Sequence, residues 1–243
     1  MANPTAAMLV IGDEILSGRT RDANMYHLAG CLTEAGITLK EARTVSDDED
    51  AIVDAVRTLS SAYDHVFTSG GIGPTHDDIT ADCIAKAMGA NIDVRDDARA
   101  ILQAHYDVKG IEMNEARLRM ARIPDGADLI DNPVSSAPGF SLGNVHVMAG
   151  VPSIFKAMLE SLLPTLTGGD PVLSRTIRIG RAEGEIAGPL GVLAKDFPDL
   201  SIGSYPFQMD GAFGANIVIR GTQIAVIDAA ATQLIAAFPD DAS

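Results

Sequence analysis

The stretch Thr68-Ser69-Gly70-Gly71-Ile72-Gly73-Pro74-Thr75-His76-Asp77-Asp78-Ile79-Thr80 decides the fold. Ahead of it, HVFTS (65–69) has the composition of a short buried strand. Behind it a helical pattern runs to Met88, with Gly89 as the expected C-cap. A strand that enters a glycine-rich turn and then a helix is the βα unit of an open parallel sheet, where ligands bind beyond the carboxyl ends of the strands. The three glycines let the backbone approach a ligand closely. Consecutive N–H groups beside a helix N-terminus form an anion site. Asp77 and Asp78 repel a bare phosphate. At the expected helix start they serve either as ligands of a divalent cation that bridges to phosphate, as a base that orients water, or as plain helix caps. No Gly-Lys-Ser/Thr follows, so the loop is not a Walker A element. It also lacks the third glycine of the dinucleotide fingerprint.

Reading outward, AAMLVIG (6–12) is a buried strand that ends in glycine. Asp22 is placed to cap a helix in which Met25, Leu28, Ala29 and Leu32 recur at helical spacing, and Gly36 ends it. ITLKEARTV (37–45) is the next strand, and Ser46-Asp47-Asp48-Glu49 has the capping-box pattern ahead of the stripe Ile52, Val56, Leu59 and Tyr63. This alternation predicts an α/β protein with a mostly parallel sheet and right-handed crossovers. Residues 91–122 read as mostly helical. Pro124, Gly126, Pro133, Pro138 and Gly139 mark a loop-rich stretch after them. VHVMAG (145–150) is a further strand, and Pro152 opens a helix that carries Ile154, Phe155, Met158, Leu159 and Leu162. Gly168-Gly169-Asp170-Pro171 is the strongest linker signal. The expected division is therefore a ligand-binding domain over 1–168 and a small α+β domain over 171–243. The second follows a strand-helix-strand-strand-helix order, its first helix weakened by Gly188-Pro189.

The chain has 243 residues, 47% hydrophobic and 21% charged, which excludes wholesale disorder. No apolar run is long enough to span a bilayer, and the first residues lack the basic and apolar regions of a signal peptide. A formal net charge of −15 argues against duplex nucleic acid or an anionic membrane as main partner. Cys31 and Cys83 form no CxxC, so neither a disulfide framework nor a thiolate zinc site is present, and a cytoplasmic location is expected. His27, His65, His76, His105 and His146 show no metal-ligand spacing, and no Ser/His/Asp arrangement is visible.

Other loops at the same sheet edge carry chemistry. Gly12-Asp13-Glu14-Ile15-Leu16-Ser17-Gly18, with Asp22 and Asn24, follows the first strand, and Asp47 follows the second. Asp13 and Glu14 are placed to cap, to hydrogen-bond a ligand or to hold a metal. Asn132-Pro133-Val134-Ser135-Ser136-Ala137-Pro138-Gly139 and Ala149-Gly150-Val151-Pro152 are further glycine- and proline-containing turns where backbone meets a ligand.

Together, Gly12-Asp13-Glu14-Ile15-Leu16-x-Gly18, Asn24, the 68–80 loop, Asn132-Pro133 with Ala137-Pro138-Gly139-Phe140, and Gly150-Val151-Pro152 resemble the molybdopterin-binding (MoaB/Mog-like) family over about residues 6–165. Within it the chain is most similar to the amino-terminal domain of competence/damage-inducible protein CinA and to the related domain of eukaryotic FAD synthases. The resemblance implies a three-layer α/β/α domain. It implies one of two activities, namely metal-dependent hydrolysis of an ADP-ribose- or FAD-like pyrophosphate, or molybdopterin binding or adenylylation in cofactor assembly. A non-catalytic regulator is the third reading. Asp78 matches the family aspartate after the glycine loop, Asp47 a second one, and Asp13 and Glu14 the acidic pair.

The expected site then comprises Asp78 and Asp47 as catalytic carboxylates, with Asp78, Asp77 and Glu14 holding Mg²⁺ or another divalent cation. Asp13, Glu14, Asn24, Ser69, Gly70, Gly71, Gly73, Thr75, Pro138, Gly139, Gly150 and Pro152 contact a phosphorylated small molecule, a nucleotide or a molybdopterin. The family's Pro-Gly-x-Pro turn reads Ala149-Gly150-Val151-Pro152 here, and the chain ends before the deamidase domain of full-length CinA, so deamidase activity is not expected. Residues 171–243 are expected to serve homo-oligomer assembly, as a dimer or a trimer.

Overall fold

Leu9 pairs with Thr68, and Thr68 pairs with Val147, so three of the apolar runs lie side by side as parallel strands. This register comes from a computed structural model of the chain, which describes residues 3–209, 212–239 and 241. The first two residues of the expected tail, and residues 240 and 242–243 of the expected second domain, lie outside the described residues. The chain divides into two units, 1–169 and 170–243.

In the first unit the order is β1 (Thr5–Ile11), α1 (Asp13–Leu16), α2 (Asn24–Glu34), β2 (Thr38–Val45), α3 (Glu49–Ala62), β3 (His65–Ser69) and α4 (Thr80–Met88). There follow β4 (Ile92–Val94), α5 (Asp96–Lys109), α6 (Glu115–Leu118), β5 (Arg122–Pro124), β6 (Asp128–Ile130), β7 (Gly139–Leu142), β8 (Val145–Met148) and α7 (Pro152–Leu162). The six-stranded sheet runs β2-β1-β3-β8-β7-β6. Its first four strands are parallel, and β7 runs antiparallel to both its neighbours, β8 and β6. Alternate residues of the central strands feed two cores, as a sheet covered on both faces requires. Leu9, Ile11 and Val66 pack with Ile52, Val56 and Leu59 of α3 and Ile84 of α4. Met8, Val10, Phe67 and Met148 pack with Leu28 and Leu32 of α2 and Phe155, Met158 and Leu159 of α7. Each such fully buried side chain contributes about 1.5–3 kcal/mol.

This layering creates the site. The chain leaving β1 turns to the α2 face, and the chain leaving the adjacent β3 turns to the α4 face. The two loops diverge and open a crevice at the carboxyl edge, the switch-point geometry of open α/β sheets.

The second unit is β9 (Leu173–Ile179), α8 (Glu183–Asp196), β10 (Ser201–Met209), β11 (Ala212–Gly221) and α9 (Ile224–Ala237). Its antiparallel sheet runs β10-β11-β9. One face, with Ile177, Ile179, Ile217 and Ile219, packs on Ile186 and Leu193 of α8 and Ile227 and Leu234 of α9.

Several local expectations are corrected. Residues 91–122 are mostly helical as expected, in α5 and α6, but Ile92–Val94 also pairs with Arg122–Pro124 as a two-stranded arm. The loop-rich stretch contains β6 and β7, which extend the main sheet. The cap of α3 is Asp48, whose Oδ1 accepts the Ala51 N–H at 3.0 Å, rather than Ser46. Asp22 does bind the start of α2, through Asn24 N and Met25 N. Asp77 and Asp78 do not begin α4; that helix begins at Thr80 with Ile79 ahead of it. The α8 helix runs on through Pro189, anchored on either side by the buried Ile186 and Leu193.

Candidate functional site

The crevice is a cleft of about 570 Å³, within the ordinary range for small-molecule sites. Its walls come from the loops after β1, β2, β3 and β8. Glu14, Asp47, Gly70, Gly71, Gly73, Asp77, Asp78, Gly150 and Pro152 line it. Asp13, Asn24, Ser69, Thr75, Pro138 and Gly139 do not line the cleft, and four of them have evident work behind it.

Asn24 is 3% exposed. Its Nδ2 donates to Ser69 Oγ and to the Gly150 carbonyl, both at 2.7 Å, which ties the ends of β3 and β8 together. Thr75 restrains Asp78: its backbone N–H and its hydroxyl donate to Asp78 Oδ2 at 2.8 and 2.5 Å. The Asp78 N–H in turn donates to the Thr75 carbonyl at 3.3 Å, closing residues 75–78 into a turn. Asp13 donates its N–H to Asp47 Oδ2 at 2.9 Å.

The glycines owe their identity first to packing inside the protein. A Cβ on Gly70 would stand 2.1 Å from the Ile11 carbonyl oxygen. One on Gly71 would stand 2.1 Å from Thr80 Oγ1, and one on Gly73 would stand 2.6 Å from Asp78 Oδ2. Gly71 also has φ +70°, where a side chain is strained. The loop still offers donors. The Gly70 N–H is taken by the Met148 carbonyl at 3.2 Å, but those of Gly71, Ile72 and Gly73 have no acceptor among the described residues. The free donors of this loop are therefore those of residues 71–73, and Gly70 is not among them.

Burial pushes the Asp47 carboxyl above its ordinary value. The Asp13 N–H opposes the rise, and the charges of Asp13, Glu14 and Asp77 add to it. Negative charge is thus concentrated along one wall. Among the described residues no three acidic, histidine or cysteine side chains converge into a ready-made metal cage. Mg²⁺ needs none, since it binds through one or two carboxylates, water and substrate phosphate oxygens. Hard carboxylate oxygens beside free N–H donors fit that shared mode, and a cation would relieve the repulsion at Asp47.

One contributor, Arg119, was not legible in the sequence, and another, Asn132, was read only as part of a turn. Arg119 donates from Nη2 to the Asp78 carbonyl at 3.3 Å, and its buried Nε has no partner. It reaches the loop from 41 residues away, with no local signal. Asn132 is 2% exposed. Its Nδ2 donates to Ser135 Oγ and the Ala137 carbonyl, and its Oδ1 accepts from Val134 N and Ser135 N, so it folds the 132–137 wall.

A doubly wound sheet with a free-amide glycine loop and an acidic wall defines an α/β domain with a cleft of small-molecule size at the carboxyl edge of its strands. The chain belongs to the family described as probable molybdopterin binding domain, whose model matches residues 7–168, and it is a MoaB/Mog-like domain of the CinA type. Residues 171–243 match the model of the FAD synthase middle domain. A protein of Archaeoglobus fulgidus is 33% identical over 199 residues, covering 82% of this chain and 84% of the relative. A CinA-like protein of Geobacter metallireducens is 35% identical over 206 residues, covering 81% of this chain; the match spans only 50% of that relative. Among solved structures, the protein CinA of unknown function from Thermoplasma acidophilum is similar at 34% identity and a TM-score of 0.62, covering 68% of this chain and 99% of that one. Among the described residues no helix is long and apolar enough to cross a membrane.

Proposed function

We propose that the protein is a divalent-metal-dependent hydrolase of a nucleotide pyrophosphate of the ADP-ribose or FAD kind, acting in the cytoplasm as a homo-oligomer, a dimer or a trimer. The observation that carries this reading is the single cleft into which the unpartnered Gly71, Ile72 and Gly73 N–H groups and the carboxylates of Glu14, Asp47, Asp77 and Asp78 all open. The three N–H groups bind and orient one phosphate. Asp78, held in place by Thr75, together with Asp77 or Glu14, would hold the divalent cation beside the bound phosphate. Mg²⁺ or a similar ion supplies Lewis acidity and lowers the pKa of bound water. Asp47, whose carboxyl is pushed up by burial, accepts a proton from the attacking water.

The alternative is molybdopterin binding or adenylylation in the same cleft, favoured by the family match over residues 7–168. Incubation with ADP-ribose or FAD and Mg²⁺ or Co²⁺ is expected to release AMP, and EDTA to abolish release. Absence of AMP release, with a tightly held fluorescent pterin in the purified protein, would transfer the cleft to the alternative.

A further inference from the structure

The second unit has a sheet face that its helices do not cover. Isoleucines 177, 179, 217 and 219 face α8 and α9. By strand alternation, Ser174, Thr176 and Arg178 of β9, Gly214, Asn216, Val218 and Arg220 of β11, and Ser201, Gly203, Tyr205 and Phe207 of β10 face the other way. Among the described residues this face carries two charges, both arginine, in a chain of net charge −15. The paired acids of the unit serve the helical side: Asp228 of α9 holds Arg175, and Glu183 of α8 accepts from Ser204.

The aromatic rings on the bare face lie against glycines. A Cβ on Gly203 would meet the Tyr205 ring at 2.9 Å, and one on Gly214 would meet the Phe207 ring at 2.5 Å. The two glycines leave room for rings that lie down along the sheet. Arg178 covers Phe207 at 4.0 Å from the ring centroid. Tyr205 has no such cover and is 49% exposed. Arg178 pairs with Asn216, and Asn216 with Tyr205, so cation, amide and bare ring stand in one row across three strands. That row is about 10 Å long at two strand spacings.

The geometry points to a nucleoside phosphate as the occupant of this face, with its base stacked on Tyr205, Asn216 at the base or sugar edge, and its phosphate on Arg178 or Arg220. Charge complementarity and a flat ring with one free face carry the assignment, because stacking accepts any base and arginine accepts phosphate. The face belongs to the second unit and the cleft is lined by residues of the first, and the proposal does not depend on the reaction proposed for the cleft.

The test is calorimetric titration of the full chain with ADP in EDTA, with adenosine and inorganic phosphate as separate arms. ADP is expected to bind, adenosine more weakly, and phosphate alone not measurably. Tyr205→Ala and Arg178→Glu are each expected to weaken ADP about tenfold or more. Tyr205→Phe, which keeps the ring, is expected to stay within about twofold. Gly73→Ala, which perturbs the cleft and lowers turnover there, should leave ADP affinity at this face within about twofold of the native chain. The assignment is overturned if ADP does not bind the native chain, or if inorganic phosphate binds as well as ADP. It is equally overturned if Gly73→Ala abolishes binding while Arg178→Glu leaves it intact, or if Arg178→Glu changes the sedimentation of the chain, which would make the face a contact between copies. Arg178 is exposed, so its replacement tests the idea even if Tyr205→Ala fails to fold.

Discussion

Asn24 holds the carbonyl of Gly150, 126 residues further along the chain, at 2.7 Å. With its second bond to Ser69, the side chain sets the separation of the β3 and β8 loops, two walls of the cleft. Asn24→Ala leaves the buried Ser69 hydroxyl and the Gly150 carbonyl without this donor. Chemical denaturation is expected to show a loss of about 2–3 kcal/mol, from two lost bonds and a small void. Ligand affinity in the cleft should fall in the same variant. Unchanged stability would show that water replaces the amide without cost.

Gly71 and Gly73 are expected to respond differently to a side chain. At Gly71 the positive φ and the contact with the fully buried Thr80 place any Cβ against the first turn of α4. Gly71→Val should therefore cost more than about 2 kcal/mol and lower the melting temperature, so it cannot report on ligand alone. At Gly73 the obstacle is the carboxylate of the half-buried Asp78, a side chain held by Thr75 rather than backbone or a fully buried group, so a Cβ displaces it within its loop. Gly73→Ala should cost under about 1 kcal/mol while displacing Asp78 and cutting turnover. Equal melting temperatures for the two variants would refute this contrast.

The alternation from β1 to α4 was legible because each strand is an apolar run and each helix has a stripe. The same holds for the second unit. The segments that were not legible are short. Ile92–Val94, Arg122–Pro124 and Asp128–Ile130 have three residues each, too few to show a period, and Gly139–Leu142 begins on a glycine next to Pro138. At the site, carboxylates that follow strands could be read from strand positions alone. The start of α4 could not, because the Asp78 carboxylate turns back to Thr75 instead of capping the helix. Arg119 reaches its place only through tertiary packing, whereas the bonds of Asn132 are local to residues 132–137 and follow from the side chain's buried position in that turn.

Buried histidines predict an acid-sensitive fold. His146 is 4% exposed, with Ser141 Oγ at 2.9 Å and His65 Nδ1 at 3.2 Å. Burial, and then the neighbouring His65, lower its pKa from 6.5 to about 4. Burial lowers His65 as well, against a pull upward from Asp64. The unfolded chain therefore binds these protons at higher pH than the folded one. The stability they confer is fully present above about pH 6.5 and is lost as pH falls toward 4. The loss from His146 is on the order of 2–3 kcal/mol. Urea denaturation at a series of pH values should show this decline, and His146→Gln, which cannot take up the proton, should flatten it. A native profile already flat from pH 7 to 4 would contradict the prediction.

Asp78→Asn separates the structural and chemical roles of the carboxylate. The amide oxygen still accepts from Thr75 N and Oγ1, so the 75–78 turn should persist and stability should fall by no more than about 1 kcal/mol. What disappears is the negative charge facing the cleft, which a hard cation requires. AMP release at low Mg²⁺ is expected to fall by about a hundredfold or more, with partial recovery as Mg²⁺ is raised. Asp77→Asn is the comparison, because Asp77 also lines the cleft but its carboxylate is not held by Thr75 through either of these bonds. Its carboxylate is exposed, and Thr75 bonds it only from the side chain, so its geometry is less fixed than that of Asp78 and its loss should reduce turnover about tenfold or less. Full turnover by Asp78→Asn at low Mg²⁺, in a protein that melts like the native chain, would leave the Thr75–Asp78 turn as a structural feature only and remove Asp78 from the reaction.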